Sequence, residues 1–91
     1  MKLIENLSGI GEVFEINTSI GKVNYIVSVF QEMIGGEEGL KQASGKISTD
    51  FVMMNRLFDG NNLHLVLEDG RKINFFMKNT DGDVQFSGDF F

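Results

Sequence analysis

The chain has 91 residues, a formal net charge of −5, nine phenylalanines, no cysteine and no proline. A chain of this length forms a single domain, residues 1–91. Without cysteine it has no disulfides or thiolate metal sites, and we expect a soluble, cytoplasmic protein. The acidic balance disfavours nucleic acid and membranes as partners, because phosphate neutralisation requires clustered Lys and Arg. The longest apolar stretch, residues 25–30, is too short to span a bilayer.

The first part of the chain predicts a strand with an irregular pattern. Residues 1–9 alternate weakly and predict either a leading strand or a packed arm. Further on, Ile10, Phe14 and Ile16 are apolar at even positions, so we expect the even face of this strand to enter the core. Glu12 interrupts the even set, which predicts a bulge or a strand end there.

A long second strand is predicted at residues 22–34. Its odd positions are apolar without interruption at Val23, Tyr25, Val27 and Val29. A four-residue loop at 18–21 would pair Phe14 with Tyr25 and so place the expected core sides of the two strands on the same face. Gly21 would then take the last loop position, which favours positive φ.

The middle of the chain has weaker patterns. Residues 35–39 contain three glycines and two glutamates and predict an acidic loop. Residues 41–48 predict a weak strand whose inward residues are small or aliphatic, namely Ala43, Gly45 and Ile47. Gly45 in that strand indicates a bulge or a close approach of another backbone.

Residues 50–58 are the one segment where a helix competes with extended structure. A helix would place three apolar residues on one face at spacings i, i+3 and i+7, namely Phe51, Met54 and Phe58. Thr49 or Asp50 can cap its first turn, and Gly60 can end its last turn. We therefore predict a short helix or 3₁₀ turn.

Residues 62–78 carry the clearest alternation and predict a β-hairpin. Apolar side chains occupy every second position on both sides of a turn, at Leu63, Leu65, Leu67, Ile73, Phe75 and Met77. A three-residue loop at 68–70 pairs Leu65 with Ile73, whereas a two-residue loop would put the two apolar sets on opposite faces. Gly70 then needs positive φ, as a type I turn with a G1 bulge requires.

A second hairpin is predicted directly after the first. A four-residue loop at 79–82 pairs Met77 with Val84 and leaves Gly82 at the last loop position. The final strand covers residues 83–88.

Together these elements predict a mostly β domain, a single small antiparallel barrel or highly curved sheet of about six strands with one short helix or 3₁₀ turn. An OB-like or SH3-like strand order fits this succession of elements. The expected core consists of Leu63, Leu65, Ile73, Phe75, Val84, Phe86, Phe14, Tyr25 and Val27.

The sequence indicates neither catalysis nor a cofactor or metal site. His64 is the single histidine and lies on the parity opposite Leu63 and Leu65, so we expect it to face solvent. Residues 79–83 have the composition of a calcium loop but lack the Gly and Glu spacing of an EF-hand. Residues 44–46 lack the remainder of a phosphate-binding loop. We therefore expect no enzymatic activity and no cofactor.

Five apolar side chains fall on the parity assigned to the outer surface and form the candidate interface: Ile26, Phe30, Val66, Phe76 and Phe91. Exposed apolar patches of this kind are limited in monomeric proteins. Either another segment of the chain covers these residues, or they contact a second copy or another protein.

The leading hypothesis is a non-enzymatic protein-interaction or assembly module that uses a face or an edge of its β-sheet. Its partner would be a second copy, giving a homo-oligomer, or another protein. The alternative is a small-ligand-binding barrel or an accessory subunit of an enzyme, with a pocket inside the sheet where Gly45 leaves space. A third hypothesis, an OB-like nucleic-acid binder, is disfavoured by the net charge of −5.

Overall fold

Six antiparallel β-strands and one short α-helix make up the fold in a computed structural model that describes residues 2–91. The strands are β1 (Lys2–Glu15), β2 (Thr18–Ile34), β3 (Glu37–Ser48), β4 (Leu63–Val66), β5 (Lys72–Met77) and β6 (Asp83–Phe90), and the helix is α1 (Phe51–Asp59). They close a ring in the order β1–β2–β3–β6–β5–β4, and β4 pairs with β1. The mostly β barrel with one short helix predicted from the sequence is confirmed.

The ring consists of two three-stranded meanders. One is β1–β2–β3, with long strands, and the other is β4–β5–β6, with short strands. The pairing of β4 covers only residues 12–15 of β1, and the pairing of β6 covers only residues 43–46 of β3. The remaining parts of β1, β2 and β3 continue beyond the barrel as a three-stranded sheet. The molecule is therefore elongated, with extents of 45 × 25 × 21 Å.

The core lies inside the ring and is closed at one end by the helix. Residues Val23, Tyr25, Val27 and Val29 of β2 all face inward and are buried, as predicted. The core side chains expected from the later strands are also buried, namely Leu63, Leu65, Ile73, Phe75, Val84 and Phe86. One expected core residue, Phe14, lies on the outer surface instead.

The prediction for the core face of β1 is wrong. Val13 is fully buried, whereas Phe14 is half-buried on the outside and Ile16 is exposed. The hairpin turn is at residues 16–17 rather than at 18–21, and Tyr25 pairs with Gly9 rather than with Phe14. The bulge lies between Val13 and Phe14, one residue beyond the expected Glu12.

The reason for this inversion is that the inward face of β1 carries glycine. A Cβ on Gly11 would lie 2.8 Å from Cδ1 of Leu65 and 3.1 Å from Cδ1 of Tyr25. The large side chains of β2 and β4 therefore fill the space beside Gly11, and this inward position of β1 must be small. A search for alternating apolar residues cannot detect a core face that carries glycine.

Both predicted hairpins after the helix are confirmed. Leu65 pairs with Ile73, and the amide of Leu67 donates to the carbonyl of Arg71 at 2.8 Å, which closes a three-residue loop. Gly70 has the expected positive φ of 89°. In the second hairpin Met77 pairs with Val84.

Two further glycines also have the positive φ predicted for them. Gly82 ends the loop between β5 and β6 with φ of 106°. Gly21 has φ of 153°, although it lies within β2 rather than in a loop.

The predicted helix is confirmed, but its buried face differs from the expected one. Asp50 caps the first turn, since its Oδ1 accepts a hydrogen bond from the amide of Met53 at 2.8 Å. Met54 and Leu57 face the barrel, while Phe51 is 80% exposed and Phe58 is 47% exposed. Within residues 2–91, no helix has the length and apolar character needed to cross a membrane.

The predicted acidic loop is shorter than expected, because strand pairing continues almost to its tip. Only Gly35 and Gly36 form the turn, with φ of 60° and 85°, and Ile34 already pairs with Glu37. The weak strand predicted at 41–48 is accordingly the second part of β3. Gly45 confirms the expected close backbone approach, since a Cβ there would collide with the carbonyl of Ile26.

Replacement of the turn glycines tests the hairpin geometry. Gly70→Ala should lower the free energy of unfolding by about 1 kcal/mol, because alanine is strained at positive φ. No atom lies within 4 Å of a Cβ at Gly70, so backbone strain is the whole effect. Gly82→Ala should cost more, since its Cβ would also collide with the carbonyl of Ile47. Denaturant unfolding measures both, and equal stability of Gly70→Ala and wild type would contradict the turn.

Adjacent phenylalanines on β5 test the assignment of its inner and outer faces. Phe75 is 6% exposed and Phe76 is 60% exposed. Phe75→Ala should therefore cost roughly 3–5 kcal/mol of unfolding free energy, because it leaves a cavity in the core. Phe76→Ala is the matched control and should cost much less. Similar losses for the two variants in denaturant melts would show that both faces of β5 are buried.

Candidate functional site

Aromatic and apolar side chains cover the outside of the barrel at β1, β4 and β5. We call this surface the aromatic face and define it as Phe14, His64, Val66, Phe76 and Phe91. Strand pairing brings Phe14 of β1 beside His64 of β4, and Asn74 of β5 pairs with His64 on its other side and separates it from Phe76. The amide of Phe91 donates to the carbonyl of Lys72 at 2.8 Å, which holds the last residue beside β5.

His64 lies at the centre of the aromatic face. Its ring is stacked on Phe14, with centroids 5.2 Å apart and planes inclined by 5°. On the other side the ring of Phe91 meets it edge to face, at 5.6 Å and 72°. Aromatic pairs at these distances are favourable beyond the area they bury. His64 is on the outer surface, as expected, but it is half-buried between two rings rather than free in solvent.

This environment favours the neutral imidazole. Burial lowers the pKa of His64 below its ordinary value of 6.5, and the positive charge of Lys72 lowers it further. Both causes act against the charged form. At neutral pH the centre of the aromatic face is therefore uncharged.

Two open grooves flank the centre of the aromatic face. One has a volume of about 490 Å³ and passes Asn74, Phe76 and Gln85 on β5 and β6. The other has a volume of about 450 Å³ and passes Phe14, His64 and Phe91, with Glu12, Asn17 and Lys72 as polar members. The face thus has an apolar centre and a polar border.

The structure does not bring the five predicted interface residues together. Val66, Phe76 and Phe91 belong to the aromatic face. Ile26 lies on the outer surface of β2, which is opposite β5 in the ring, and Phe30 lies on the same face where β2 continues beyond the barrel. Ile26 is 49% exposed, whereas Phe30 is half-buried. Their role as an interface stays a prediction.

Two residues of the aromatic face were not predicted as part of it. Phe14 was assigned to the core, and His64 was expected in solvent. Gly9 and Gly11 were the available signal, since they alternate with Val13 and so mark the inward face of β1. That reading would have placed Phe14 outside.

The sheet that extends beyond the barrel has two edges, and the edge of β1 is partly occupied. The amide of Ile10 donates to Oε1 of Glu68 at 3.1 Å. Arg71 donates from Nη1 to both carboxylate oxygens of Glu5 at 3.1 Å, and its guanidinium lies 4.5 Å from the ring centre of Phe90. Hydrogen bonds to Glu5 and then to Asp69 raise the pKa of Arg71. The turn between β4 and β5 therefore covers this edge.

The edge of β3 has no such cover at residues 37–42. These residues pair with β2 on one side, and the pairing with β6 begins only at Ala43. Leu40 in this segment is 77% exposed. The described part of the chain thus presents an unpaired strand edge of six residues.

The interior of the ring holds side chains. Val27, Leu65 and Ile73 are completely shielded from solvent. The space expected beside Gly45 is taken by the backbone of β2. Among residues 2–91 no group of three His, Cys, Asp or Glu side chains is close enough to hold a metal ion.

Comparison with protein-family models, curated proteins and solved structures finds no match to this chain. Its function is therefore argued from its own residues.

Titration of His64 tests the geometry of the aromatic face. An NMR titration of the imidazole should give a pKa below 6.5. Phe14→Ala should raise this pKa because it exposes the ring, and Lys72→Ala should raise it because it removes a positive charge. A pKa of 6.5 or above in the wild type would contradict the lowering of the pKa by burial and by Lys72.

The same shift makes stability depend on pH. The unfolded chain binds a proton at His64 more readily than the folded chain, so stability should fall as the pH drops through 6.5 towards the lowered pKa. His64→Asn is the control, because it removes this contribution from the pH profile of denaturant unfolding.

Proposed function

We propose that this protein is a non-enzymatic interaction or assembly module that binds protein through a face or an edge of its β-barrel. The observation that carries the proposal is the aromatic face. Phe76 and Phe91 are 60% and 61% exposed, although the core of the barrel is already filled by other side chains. Each phenylalanine left in water forgoes roughly 1.5–3 kcal/mol of burial free energy, so a partner surface is expected to cover it.

The composition of the aromatic face supports binding to protein. Interface centres are rich in aromatic residues and poor in charge, while their borders are polar. The neutral His64 between two phenylalanine rings supplies such a centre. Glu12, Asn17 and Lys72 supply the polar border.

The charge of the chain supports a protein partner over nucleic acid or an anionic membrane. With a net charge of −5, the protein as a whole repels phosphate groups. A cytoplasmic location is part of this proposal, on the ground that the chain carries no cysteine. The partner is either a second copy of the chain or another protein.

The alternative function, a barrel that binds a small ligand or serves as an accessory subunit of an enzyme, has less support. A ligand pocket needs space among the inward side chains. Val27, Leu65 and Ile73 lie on the inside of the ring and are completely buried, so a ligand cannot reach them from solvent without a change in packing. A ligand that bound the folded state would raise the melting temperature, which a thermal-shift screen would detect.

Serine substitutions on the aromatic face test the proposal. Phe76→Ser and Phe91→Ser should weaken association in sedimentation velocity, because each removes apolar contact area from the interface. Both variants should keep most of their stability in denaturant melts, since the two side chains are mostly exposed. Val52→Ser is the matched control, because Val52 is 78% exposed on α1, away from the aromatic face.

The outcomes distinguish two roles of these side chains, which either form an interface or pack within the molecule and stabilise its fold. Loss of association with folding retained supports the proposal. A wild-type protein that is monomeric, together with variants that unfold, would mean that these side chains stabilise the fold and would overturn it.

A further inference from the structure

The unpaired edge of β3 has defined limits at both ends. At one end the chain turns at Gly35 and Gly36, and at the other end Ala43 pairs with β6. Within residues 37–42, the backbone groups that point away from β2, which belong to alternate residues of the strand, therefore have no strand partner among the described residues. An edge of this length can accept another strand.

A bulge within this edge determines which side chains share a face. Lys41 pairs with Gln31, but Glu38 pairs with Met33, so β3 has one extra residue between these positions. Opposed residues of a sheet share a face, and Gln31 and Met33 are two residues apart on β2. The bulge consequently puts Glu38 and Lys41 on the same face of β3.

The bulge is held in place by a buried side chain. Gln31 is 5% exposed, and its Nε2 donates to the carbonyl of Gly39 at 2.7 Å. This bond replaces ladder pairing lost at the bulge. The bond thus anchors the backbone of β3 at the bulge.

We propose that this edge pairs antiparallel with the same edge of a second copy across a two-fold axis, with Glu38 opposite Lys41 of the second copy. The inference rests on the proposed function and names its partner. The two-fold axis generates the Glu38–Lys41 pair twice. It also places Glu37 opposite Gln42 of the second copy. Leu40 lies opposite Gly39 of the second copy, where no side chain obstructs it.

The register follows from the faces of the residues. A two-fold axis perpendicular to the sheet requires opposed residues to lie on the same face, as Glu38 and Lys41 do. A shift by one residue would oppose Glu37 to Lys41 or Glu38 to Gln42, and each of these pairs lies on opposite faces. The proposed register also uses all six residues without overlapping Ala43, which β6 already occupies.

Charge distinguishes this edge from one that is protected against pairing. Exposed edges commonly carry charged side chains, which disfavour pairing when a second copy brings a like charge opposite them. Here Glu38 and Lys41 are both exposed, and neither has an ion-pair partner within residues 2–91. In the proposed register each meets the opposite charge. The edge of β1 is a weaker candidate, because Glu5 and the amide of Ile10 are already bonded.

Charge reversal tests the pairing by sedimentation velocity between about 10 μM and 1 mM, since an interface of this size is expected to be weak. Glu38→Lys alone and Lys41→Glu alone each place like charges opposite one another twice, and each should weaken the dimer about tenfold or more. An equimolar mixture of the two single variants should associate again, because every pair across the axis is then opposite in sign. The double variant should also associate as the wild type does.

Cysteine cross-linking tests the register in a chain that has no cysteine of its own. Glu38→Cys/Lys41→Cys should form a disulfide-linked dimer with oxidised glutathione, because the two positions face each other across the axis. Glu37→Cys/Lys41→Cys is the matched control and should not cross-link efficiently, since its cysteines would lie on opposite faces. Stronger cross-linking of the control would overturn the register.

Failure of this inference is distinguishable from failure of the proposed function. If the wild type associates, and Phe76→Ser dissociates it while the charge reversals do not, edge pairing is wrong and the aromatic face is the interface. If the wild type is monomeric at about 1 mM and Glu38→Cys/Lys41→Cys gives no cross-link, edge pairing is also wrong. The Phe76→Ser and Phe91→Ser melts then decide the proposed function separately.

Discussion

Closure of the ring by two short strand pairings is the constraint on which the rest of the structure depends. The contact of β4 with β1 and that of β6 with β3 each involve four residues of the longer strand. Because β1, β2 and β3 are much longer than these contacts, their ends must continue outside the barrel as a sheet. A closed barrel removes strand edges, but this extension creates them again. The unpaired edge at residues 37–42 is therefore a direct consequence of unequal strand lengths.

Core packing has a similar consequence for the aromatic face. The side chains of Tyr25 and Leu65 occupy the space beside β1, so Gly11 must be small. The larger Phe14 is then left on the outside, where the β1–β4 pairing places it against His64. The filled interior and the apolar exterior thus have one cause. Of the nine phenylalanines, all within the described residues, only Phe75 and Phe86 are buried in the core.

The two candidate surfaces differ in the physical basis of recognition. The aromatic face offers apolar area around a neutral His64, and its binding depends on how much of that area a partner buries. The edge of β3 offers backbone hydrogen bonds, with selectivity from Glu38 and Lys41. The surfaces lie on different strands, so substitutions in one leave the other intact.

Part of the aromatic face is predictable from the alternation of β4 and β5, because that alternation assigns Val66 and Phe76 to the outer surface.

The sequence by itself determined the features that depend on a few neighbouring residues. Alternation and turn chemistry were enough to pair Leu65 with Ile73 and to require positive φ at Gly70, and the side chains of Thr49 and Asp50 were enough to place the helix cap at one of these two residues. The tertiary structure decided which face of β1 enters the core, because Gly9 and Gly11 mark the inward face only when side chains of distant strands fill the space beside them, as they do beside Gly11. It also decided which edges remain unpaired and which outer residues meet. These features arise when strands far apart in the chain close a ring, and no local pattern records their relative lengths.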